Sequence, residues 1–565
     1  MKIDLRQTPF TRADSYMSFG IRPSDGRPNG ELWLRNVHGY PGRREALAVR
    51  LLADGADVPF KATATESVLR MDTDAGWVEM CLPEPNLLRI RGRGVTLRLI
   101  MEPQSSDNAI YYGGGRWLIN ARSMLSKYLL TPLVGNLSVD APWQEKRCLS
   151  ITADFAPDTD GRLEAAIDEC PYAVRTGDHE RSFDQCVSAV GEEFGAWRRR
   201  LPQLSGDLAE AGDLAAYVLW SATVPPEGFL TRRGILMSKN HMDRVFSWDY
   251  LFNAMALADS HPDLAWDQVM LMFDIQSAAG HFPDFVSDHH WQWNYVKPPI
   301  QGWALRWMMR HSNLISQERL REVYRPLSRW TEWWFEYRDS DGDGLPQYDH
   351  GNDSGWDNAT CFAIRPPIEG PDLAAYLAVQ MDVLAEIAGK LGLDDESAGW
   401  TRRADELVEK LLEHSFNGES FTAPQSGTHE TADEGDTLLV FLPLVLGERL
   451  PEDIRRKLID GLKQPGRFLT DHGLATESPN SPLYEPNGYW RGPIWAPPTM
   501  VLVDALTELG EKELAADIAG RFCRTCAASG MAENFDALTG EGLRDRAYTW
   551  TAAVFFILAS EYIRK

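Results

Sequence analysis

Apolar and polar residues alternate along the first third of the chain. Segments such as ELWLRNVHG, FKATATESVLRMD, GWVEMCLPE, GRWLINA and CLSITADFAP alternate or form short β-branched runs, and Gly, Pro, Asp and Asn separate them. Alternation of period two places successive side chains on opposite faces of a sheet. The spacing of these short strands predicts an N-terminal β-rich, β-sandwich-like domain over residues 1–178.

The pattern changes near residue 180, where apolar residues recur at helical spacing. From SFDQCVSAVGEEFGAWRRRL to AYTWTAAVFFILASEYIRK, residues 179–565 predict about twelve helices, separated by loops rich in Gly, Pro and Asp. A dozen helices can close into a double ring, six inside and six outside, with their loops gathered at one mouth. The helical segments follow no strict period, so a regular solenoid is disfavoured.

Composition limits the class of partner. The chain has 565 residues, enough for two domains, and a formal net charge of −25. This charge disfavours nucleic acid and anionic membranes, which bind basic surfaces, and agrees with a small carbohydrate ligand. The N-terminal segment has no apolar core of signal-peptide length, and no run of eighteen apolar residues occurs. With seven scattered cysteines, we expect a cytoplasmic protein with reduced thiols; the CRTC pair is interpreted as buried helix thiols.

Twenty tryptophans are the unusual feature of the composition. Many lie beside acids or amides, in SWDY, HHWQWNY, GWDN and GYWRGPIW. Aromatic faces stack on the apolar faces of sugar rings, while carboxylates and amides bind hydroxyl groups. A polar pocket with aromatic walls is typical of a small-molecule site.

Two of these clusters precede predicted helices. Trp248 and Asp249 open one helix, where Asp249 is equally interpretable as a helix-capping acid. The second cluster contains Asp284, adjacent histidines at 289 and 290, Trp291 and Trp293. Zinc at the two histidines is disfavoured because adjacent side chains diverge and no further ligand of the usual spacing follows.

A third cluster is RDSDGDGLPQYDHGNDSGWDNAT. Asp339, Asp341 and Asp343 imitate the start of a calcium loop, but the glutamate expected twelfth is replaced by His350. The same residues are also typical of a turn. We therefore expect no cofactor, with structural calcium as the minor alternative. Asp353 and Asp357 follow four residues apart.

The fourth cluster, YEPNGYWRGPIW, is followed near the C-terminus by MAENFDALTGEG, which carries Glu533 and Glu541. Cleavage of a glycosidic bond needs two carboxyl groups, one protonated to expel the leaving oxygen and one ionised. Acids set among aromatic residues can be desolvated, which raises the pKa of one of them. The pattern supports a glycosidase, although epimerases and lyases on helical barrels show similar loops.

DSGWDN, SWDYLFNAMA, GYWRGPIW and ENFDALTGE occur in an order that resembles glycoside hydrolase family 63. That family includes processing α-glucosidase I and the bacterial mannosylglycerate and glucosylglycerate hydrolases, and family 37 trehalases are similar at greater distance. The resemblance covers roughly residues 200–565. It implies a mainly α protein, with an (α/α)6 barrel behind the N-terminal β domain, that removes a terminal α-linked glucose or mannose with inversion.

The resemblance also implies roles for individual residues. Asp357 corresponds to the general acid and Glu533 to the general base; their rivals are Asp353, otherwise interpreted as structural, and Glu541. Trp248 and Asp249 correspond to the segment that grips the terminal sugar. The remaining residues expected to contact the substrate are Trp293, Gln301, Gly355, Trp356, Tyr489, Trp490, Arg491 and Trp495.

Some features depart from the relatives. The chain is shorter than processing glucosidases, and trehalase signatures are only partly present. A small α-glycoside is therefore the expected substrate. The net charge disfavours an anionic one unless Lys297, Arg232 or Arg491 compensates locally. The rival hypotheses are a sugar epimerase that uses His289 or His290, and a noncatalytic carbohydrate-binding protein.

Overall fold

The computed structural model describes residues 1–24, 27–39, 42–432 and 434–563. Its first part is built from strands. These are β1 (Met17–Ser24), β2 (Arg27–Asn36), β3 (Glu45–Ala53), β4 (Ala56–Val58), β5 (Lys61–Ala64), β6 (Leu69–Asp72), β7 (Trp77–Glu84), β8 (Leu87–Arg93), β9 (Thr96–Met101), β10 (Asn108–Gly113), β11 (Arg116–Ala121), β12 (Ser126–Val134), β13 (Asn136–Asp140), β14 (Trp143–Gln144), β15 (Arg147–Cys148), β16 (Ile151–Ala156) and β17 (Arg162–Glu169).

The strands form two large antiparallel sheets. One has the order β1-β2-β3-β9-β16-β13, with β4 beside β3, and the other has the order β10-β11-β12-β17-β8-β7-β6-β5. Alternate residues of β9 and β16 are buried, as their alternating sequences predict. The β-rich N-terminal part is thereby confirmed. Because this whole region is strand, the chain is less uniformly helical than a mainly α class implies.

The rest of the chain is helical. The helices are α1 (Phe183–Arg200), α2 (Ala209–Ala222), α3 (Tyr250–Leu257), α4 (Pro262–Asp274), α5 (Gln301–His311), α6 (Gln317–Tyr337), α7 (Pro371–Lys390), α8 (Asp394–Ser415), α9 (Glu452–Lys463), α10 (Ala496–Glu508), α11 (Lys512–Ser529) and α12 (Thr549–Ile557). Leu438–Arg449 forms 3-10 turns. Short strand pairs in the loops are β18 (Thr223–Val224), β19 (Gly234–Ile235), β20 (Val245–Phe246), β21 (Phe285–Val286), β22 (Trp291–Gln292), β23 (Leu469–Thr470), β24 (Gly473–Leu474), β25 (Asn534–Phe535) and β26 (Gly542–Leu543).

Six of these helical segments contact one another in a closed circuit. The circuit runs α3, α5, α7, Leu438–Arg449, α10 and α12, and α12 contacts α3 again. The helices α2, α4, α6, α8, α9 and α11 each pack against a member of that circuit. The sequences explain which helices lie in the circuit and which lie outside it. The circuit helix α12 is apolar on all sides and buried throughout, whereas the outer helix α9 buries one apolar stripe.

Buried polar contacts join the β part to the helical part. Arg35 donates to the main-chain oxygen of Lys239 at 2.8 Å, and Lys239 donates to the oxygen of Arg12 at 3.0 Å. His38, at the end of β2, is bonded to the Asp288 carboxylate, which also accepts from Gly39 N at 2.8 Å. Burial opposes protonation of His38, but its hydrogen bond to Asp288 and the Glu169 carboxylate 3.6 Å from Nε2 raise its pKa to about 10. His38 is therefore a buried cation at neutral pH.

All seven cysteines are buried free thiols, including Cys523 and Cys526 of α11, as predicted. Across the described ranges, none of the helices has the length and apolar character needed to cross a bilayer.

Candidate active site

A three-stranded sheet brings the first two sequence clusters together. β20 pairs with β21, and β21 pairs with β22. Ser247 N then donates to Asp284 O at 2.9 Å, so the segment that leads into α3 runs beside the segment that holds Asp284. Two loops distant in sequence thus converge at the start of α3.

Asp249 does not cap α3. Its backbone is already helical, its carboxylate makes no capping hydrogen bond, and its side chain is only 2% exposed. Its Oδ2 is buried and accepts no hydrogen bond from any described residue. Burial raises the pKa of Asp249 well above its ordinary value; Lys297 opposes the rise, while Asp284 and Asp357 add to it. Asp249 therefore offers an unsatisfied acceptor, as a residue that binds a ligand hydroxyl would.

Lys297 is the cation of this cluster. Its ammonium lies 3.2 Å from Asp284 Oδ1 and donates to the main-chain and side-chain oxygens of Asn352 at 2.8 and 3.0 Å. Burial favours the neutral amine, but Asp284, Asp357 and Asp249 together raise the pKa of Lys297. One buried ammonium thus lies among three carboxyl groups.

The two acids of the third cluster have different environments. Asp353 is 1% exposed, and its carboxylate accepts from Arg338 at 2.8 Å, Val296 N at 3.1 Å and Asp349 N at 3.1 Å. Asp357 is half-buried, and a side chain on Gly351 would collide with its main-chain oxygen. Asp353 therefore holds the loop, as predicted for a structural acid, while Asp357 keeps its carboxylate available.

Asn358 ties the acid-bearing loop to the fourth cluster. Its side chain donates to Gly488 O and accepts from Trp490 N, both at 3.0 Å. Behind this connection the indoles pack on one another, with Trp490 stacked on Trp495 at 4.0 Å and Trp356 at 4.9 Å from Trp490. Trp495 also donates to Tyr489 O at 2.8 Å. These buried indoles support the loops beside Asp357.

Glu533 reaches the same place from the C-terminal side. It immediately precedes β25, whose Phe535 exchanges two main-chain hydrogen bonds with Ile494 at 2.7 and 3.0 Å. Glu533 is 5% exposed, and Trp550 Nε1 donates to its main-chain oxygen at 3.3 Å. Burial, then the charge of Asp545, raises the pKa of Glu533 to about 7, and Asp357 adds to the rise.

Asp357 and Glu533 act on common neighbours. Burial raises the pKa of Tyr489, and the charges of Asp357, Glu533 and Asp249 raise it further. Three acids from loops before α3, α7 and α12 therefore act electrostatically on one tyrosine. The loops that hold these groups lead into helices of the inner circuit, so their positions depend on its closure.

Gln301 has two protein partners. This side chain is fully buried; its amide donates to Ser247 O at 3.0 Å and accepts from Trp330 at 2.9 Å. Gln301 therefore positions the segment before Trp248, and its contact with a substrate stays a prediction.

The remaining predicted contacts differ in their surroundings. Arg491 is paired with Glu485, and Trp293 packs near His281 at 5.3 Å and Trp291 at 5.5 Å. The contacts of both side chains with a substrate remain predictions from the resemblance.

Several contributors to the site carry no local sequence signal. Arg544 lies 4.7 Å above the Tyr489 ring and lowers the pKa of Glu533, and burial with neighbouring acids raises the pKa of Tyr548. No local motif marks either residue; only the hairpin β25–β26 brings them back toward Glu533. Lys297 was considered for substrate charge, but its pairing with the acids requires the three-dimensional arrangement.

The candidate metal ligands of the sequence take other partners. The Asp339 carboxylate accepts from Gly342 N at 2.9 Å and Gly344 N at 3.0 Å, which is turn chemistry. Calcium at this loop stays the minor alternative to the predicted absence of a cofactor. His289 Nδ1 lies 2.7 Å from Asp288 Oδ2, in the interface beside His38.

Gly355 shows how closely Trp248 is packed. Its φ is +74°, and an added Cβ would lie 2.5 Å from the indole. We expect Gly355→Ala to displace Trp248 and lower both kcat/KM and the free energy of unfolding, by about 2–4 kcal/mol for the latter. Gly392→Ala is the matched control because its φ is +75° and nothing lies within 4 Å. Equal losses of unfolding free energy in urea titrations of the two variants would contradict a Trp248 clash.

Comparisons with known proteins agree with this geometry. Residues 242–551, more than half of the chain, match the family described as the mannosylglycerate hydrolase MGH1-like glycoside hydrolase domain. Mannosylglycerate hydrolase MGH2 of Selaginella moellendorffii is 21% identical over 55% of this chain and 78% of its own length. Glucosylglycerate hydrolase of Mycolicibacterium hassiacum is 23% identical over 55% and 90%.

Solved structures show related folds. The GH63 mannosylglycerate hydrolase from Thermus thermophilus in complex with glucose aligns with a TM-score of 0.52, at 20% identity, over 60% of this chain and 98% of that chain. A bacterial glucoamylase complexed with acarbose aligns with a TM-score of 0.65, at 12% identity, over 99% and 94%. The glucoamylase thus matches the β part as well. The protein is a glycoside hydrolase, and its chain belongs to the MGH1-like group of glycoside hydrolase family 63.

Proposed function

We propose that the protein is an inverting, exo-acting glycoside hydrolase that removes a terminal α-linked glucose or mannose from a small glycoside. The observation that carries the proposal is the pairing of Glu533, whose pKa is raised to about 7, with a second carboxylate, Asp357, near enough to affect it. A base with a pKa near the working pH is suited to accept a proton from water.

In the proposed reaction, Asp357 donates a proton to the glycosidic oxygen as the bond from that oxygen to the anomeric carbon breaks. Glu533 accepts a proton from a water molecule whose oxygen bonds to the anomeric carbon from the opposite face. Inversion requires about 6.5–9.5 Å between the two carboxyl groups, which leaves room for that water. Asp249 accepts hydrogen bonds from sugar hydroxyls through its unsatisfied Oδ2.

The proposed scaffold is an (α/α)6 barrel. The closed circuit of six helical segments supplies its inner layer, and the six helices packed outside supply its outer layer. In this arrangement, Asp357 and Glu533, far apart along the chain, face one cavity. The two N-terminal sheets form a β-sandwich-like domain that buttresses the loop carrying Asp284.

Hexosides of glycerate are the proposed substrate class. The relatives reported above are named as mannosylglycerate or glucosylglycerate hydrolases. Of the three cations considered from sequence, Arg232 is bound by Asp274 and Glu322, and Arg491 by Glu485. Lys297 is the one that lies among the site acids, where it is paired with Asp284 and donates to Asn352.

A substrate screen tests this function. Purified protein is incubated with mannosylglycerate, glucosylglycerate, trehalose and neutral α-glucosides, and the anomer first released is followed by NMR. The proposal expects a β-anomer from a glycerate glycoside. A retained α-anomer would refute inversion, interconverted free sugar would indicate an epimerase, and calorimetric binding without turnover on the whole panel would indicate a binding protein.

Arg544 sets the pH dependence in this scheme. Activity requires ionised Glu533, so kcat/KM falls as pH decreases below about 7. Arg544 lowers the pKa of Glu533. We therefore expect Arg544→Gln to move the acid limb of the kcat/KM profile to higher pH.

Arg546→Gln is the matched control for this shift. Arg546 lies two residues further along the chain and donates to the main-chain oxygens of Gly542 and Ser529 at 2.6 and 3.0 Å, whereas Arg544 is the arginine that lowers the pKa of Glu533. If both variants leave the acid limb where it is, another group controls it.

A further inference from the structure

A cluster of metal-ligand side chains lies apart from Asp357 and Glu533. It contains Asp343 from the loop after α6, Glu369 just before α7, His414 in the last turn of α8, and His429 from the following loop. One ligand atom from each lies within 4.8 Å of all the others. We propose that these four residues form a binding site for a divalent transition-metal ion of the zinc class.

The backbone brings the four residues together independently of any ion. Tyr348 pairs with Ile368, and Ile368 pairs with Gln425, so three loop segments run side by side. Glu369 N also donates to Pro424 O at 2.8 Å. The ligands thus come from a pre-formed arrangement of segments, which lowers the entropic cost of binding.

Glu369 provides the second, independent observation. Its side chain is 2% exposed, and Oε2 lies 2.6 Å from His414 Nε2. Among the described residues, its Oε1 is buried and accepts no hydrogen bond of normal geometry. Burial raises the pKa of Glu369 and the Asp343 charge adds to the rise, while His414 and Ser426 lower it. A cation would satisfy the orphan oxygen and screen the two carboxylates from each other.

The histidines are arranged to reach Asp343. His414 Nδ1 and His429 Nε2 each lie 4.0 Å from Asp343 Oδ2. Leu345 N donates to Asp343 Oδ1 at 2.8 Å, which leaves Oδ2 for the two imidazoles. Tetrahedral ligands about 2.1 Å from zinc are about 3.4 Å apart, so a shift of under about 1 Å completes the geometry. His429, whose side chain is 46% exposed, has room to make that shift.

The donor set selects the kind of ion. Calcium and magnesium prefer all-oxygen coordination, whereas imidazole with carboxylate suits zinc and its neighbours. The neighbouring Asp339 carboxylate already accepts two backbone amides. A bound ion would fasten the loop after α6 next to Arg338, which holds Asp353, and so would stabilise the base of the loop that carries Asp357.

The test uses the full chain after EDTA treatment and buffer exchange. Zn²⁺ is added, and bound metal per chain is measured by mass spectrometry after dialysis, together with Tm. Co²⁺ is used as an optical probe of tetrahedral coordination. We expect one Zn²⁺ retained at this site, an increase in Tm, and visible Co²⁺ absorption.

His429→Gln and Glu369→Gln should each lower the affinity for Zn²⁺ by at least about tenfold and remove the Co²⁺ signal. His429 is the more exposed of the two, so its variant is expected to fold even if the Glu369 variant does not. His289→Gln is the control because His289 belongs to a separate group with His38 and Asp288; it should keep the site intact.

Three results would overturn the proposal. The first is no retained Zn²⁺ in the untreated or reloaded protein. The second is Zn²⁺ binding that His289→Gln abolishes and His429→Gln does not. The third is stabilisation by Ca²⁺ alone that Asp339→Asn removes, which would assign the cation to the aspartate loop. None of these readouts depends on the glycosidase activity.

Discussion

Glu533→Gln and Asp357→Asn are each expected to lower kcat by about 10²–10⁴-fold, the contribution of a positioned general acid or base. Each amide keeps the volume and most polar contacts of the carboxyl group but cannot exchange a proton at the required pKa. Binding of the glycoside, measured by calorimetry, should persist. Near-normal turnover in either variant would show that its role is assigned wrongly.

Glu541→Gln is the control for this pair. Glu541 is exposed in the hairpin β25–β26, immediately before β26, and is the sequence-based rival for the base. Its substitution should leave kcat unchanged. If Glu541→Gln loses activity while Glu533→Gln keeps it, Glu541 is the general base and Glu533 is not.

Glu533→Gln should also stabilise the protein at alkaline pH. The folded-state pKa of about 7 exceeds the ordinary 4.5, so the folded protein holds this proton more tightly than the unfolded chain does. The stabilising contribution is complete below pH 4.5 and is lost as pH rises through 7. Above pH 7 the folded protein must hold a buried carboxylate, which glutamine avoids. Glu533→Gln should therefore raise the free energy of unfolding by up to about 3 kcal/mol at pH 8. A Tm that is lower than wild type at pH 8 would contradict it.

Lys297→Met is expected to cost about 3–5 kcal/mol of unfolding free energy at pH 8, because it leaves buried carboxylates without a counter-charge. Asp284, Asp249 and Asp357 all stabilise the charged form of Lys297, so all three lose their cation. Burial already raises the pKa values of Asp249 and Asp284, and removal of the ammonium raises them further. The loss should therefore shrink as pH falls and these acids take up protons.

Lys390→Met is the matched control. Lys390 is an exposed lysine paired with Glu386 one turn away on α7, an arrangement worth about 0.5 kcal/mol or less. Chemical denaturation of both variants at pH 5 and pH 8 separates the effects. A pH-independent loss in Lys297→Met would indicate lost packing instead of uncompensated charge.

The local pattern of apolar and polar residues is enough to predict which segments are strands and which are helices. Alternation marks β9 and β16, and the apolar stripe of α9 marks a helix with one buried face, because these features reflect contacts that each element makes through a single face. The two sheets are less predictable, since β3 pairs with β9 and β17 pairs with β8 across long stretches of chain. Pairing between distant strands depends on packing of the whole domain and leaves little local signal.

The site shows the same limit. Asp353 and Asp357 lie in one short motif, and sequence separated a structural acid from a candidate catalytic acid by resemblance alone. The physical reason appears only in three dimensions, where Arg338 and two backbone amides occupy the Asp353 carboxylate. The partners of Gln301 were equally hidden, because a glutamine at a helix start has the same local appearance whether its amide meets a ligand or a protein group such as Trp330.

The buried pairing of His38 with Asp288 makes the two parts of this chain mutually dependent. The Thermus mannosylglycerate hydrolase aligns over nearly its whole length with only 60% of this chain. Its fold therefore has no counterpart of the remainder of this chain. Here, a truncation that removed the strands would take the His38 partner away from Asp288, which lies four residues from Asp284. An excised helical half would keep only His289 as the imidazole partner of this acid, so shortened versions of this enzyme should retain both halves.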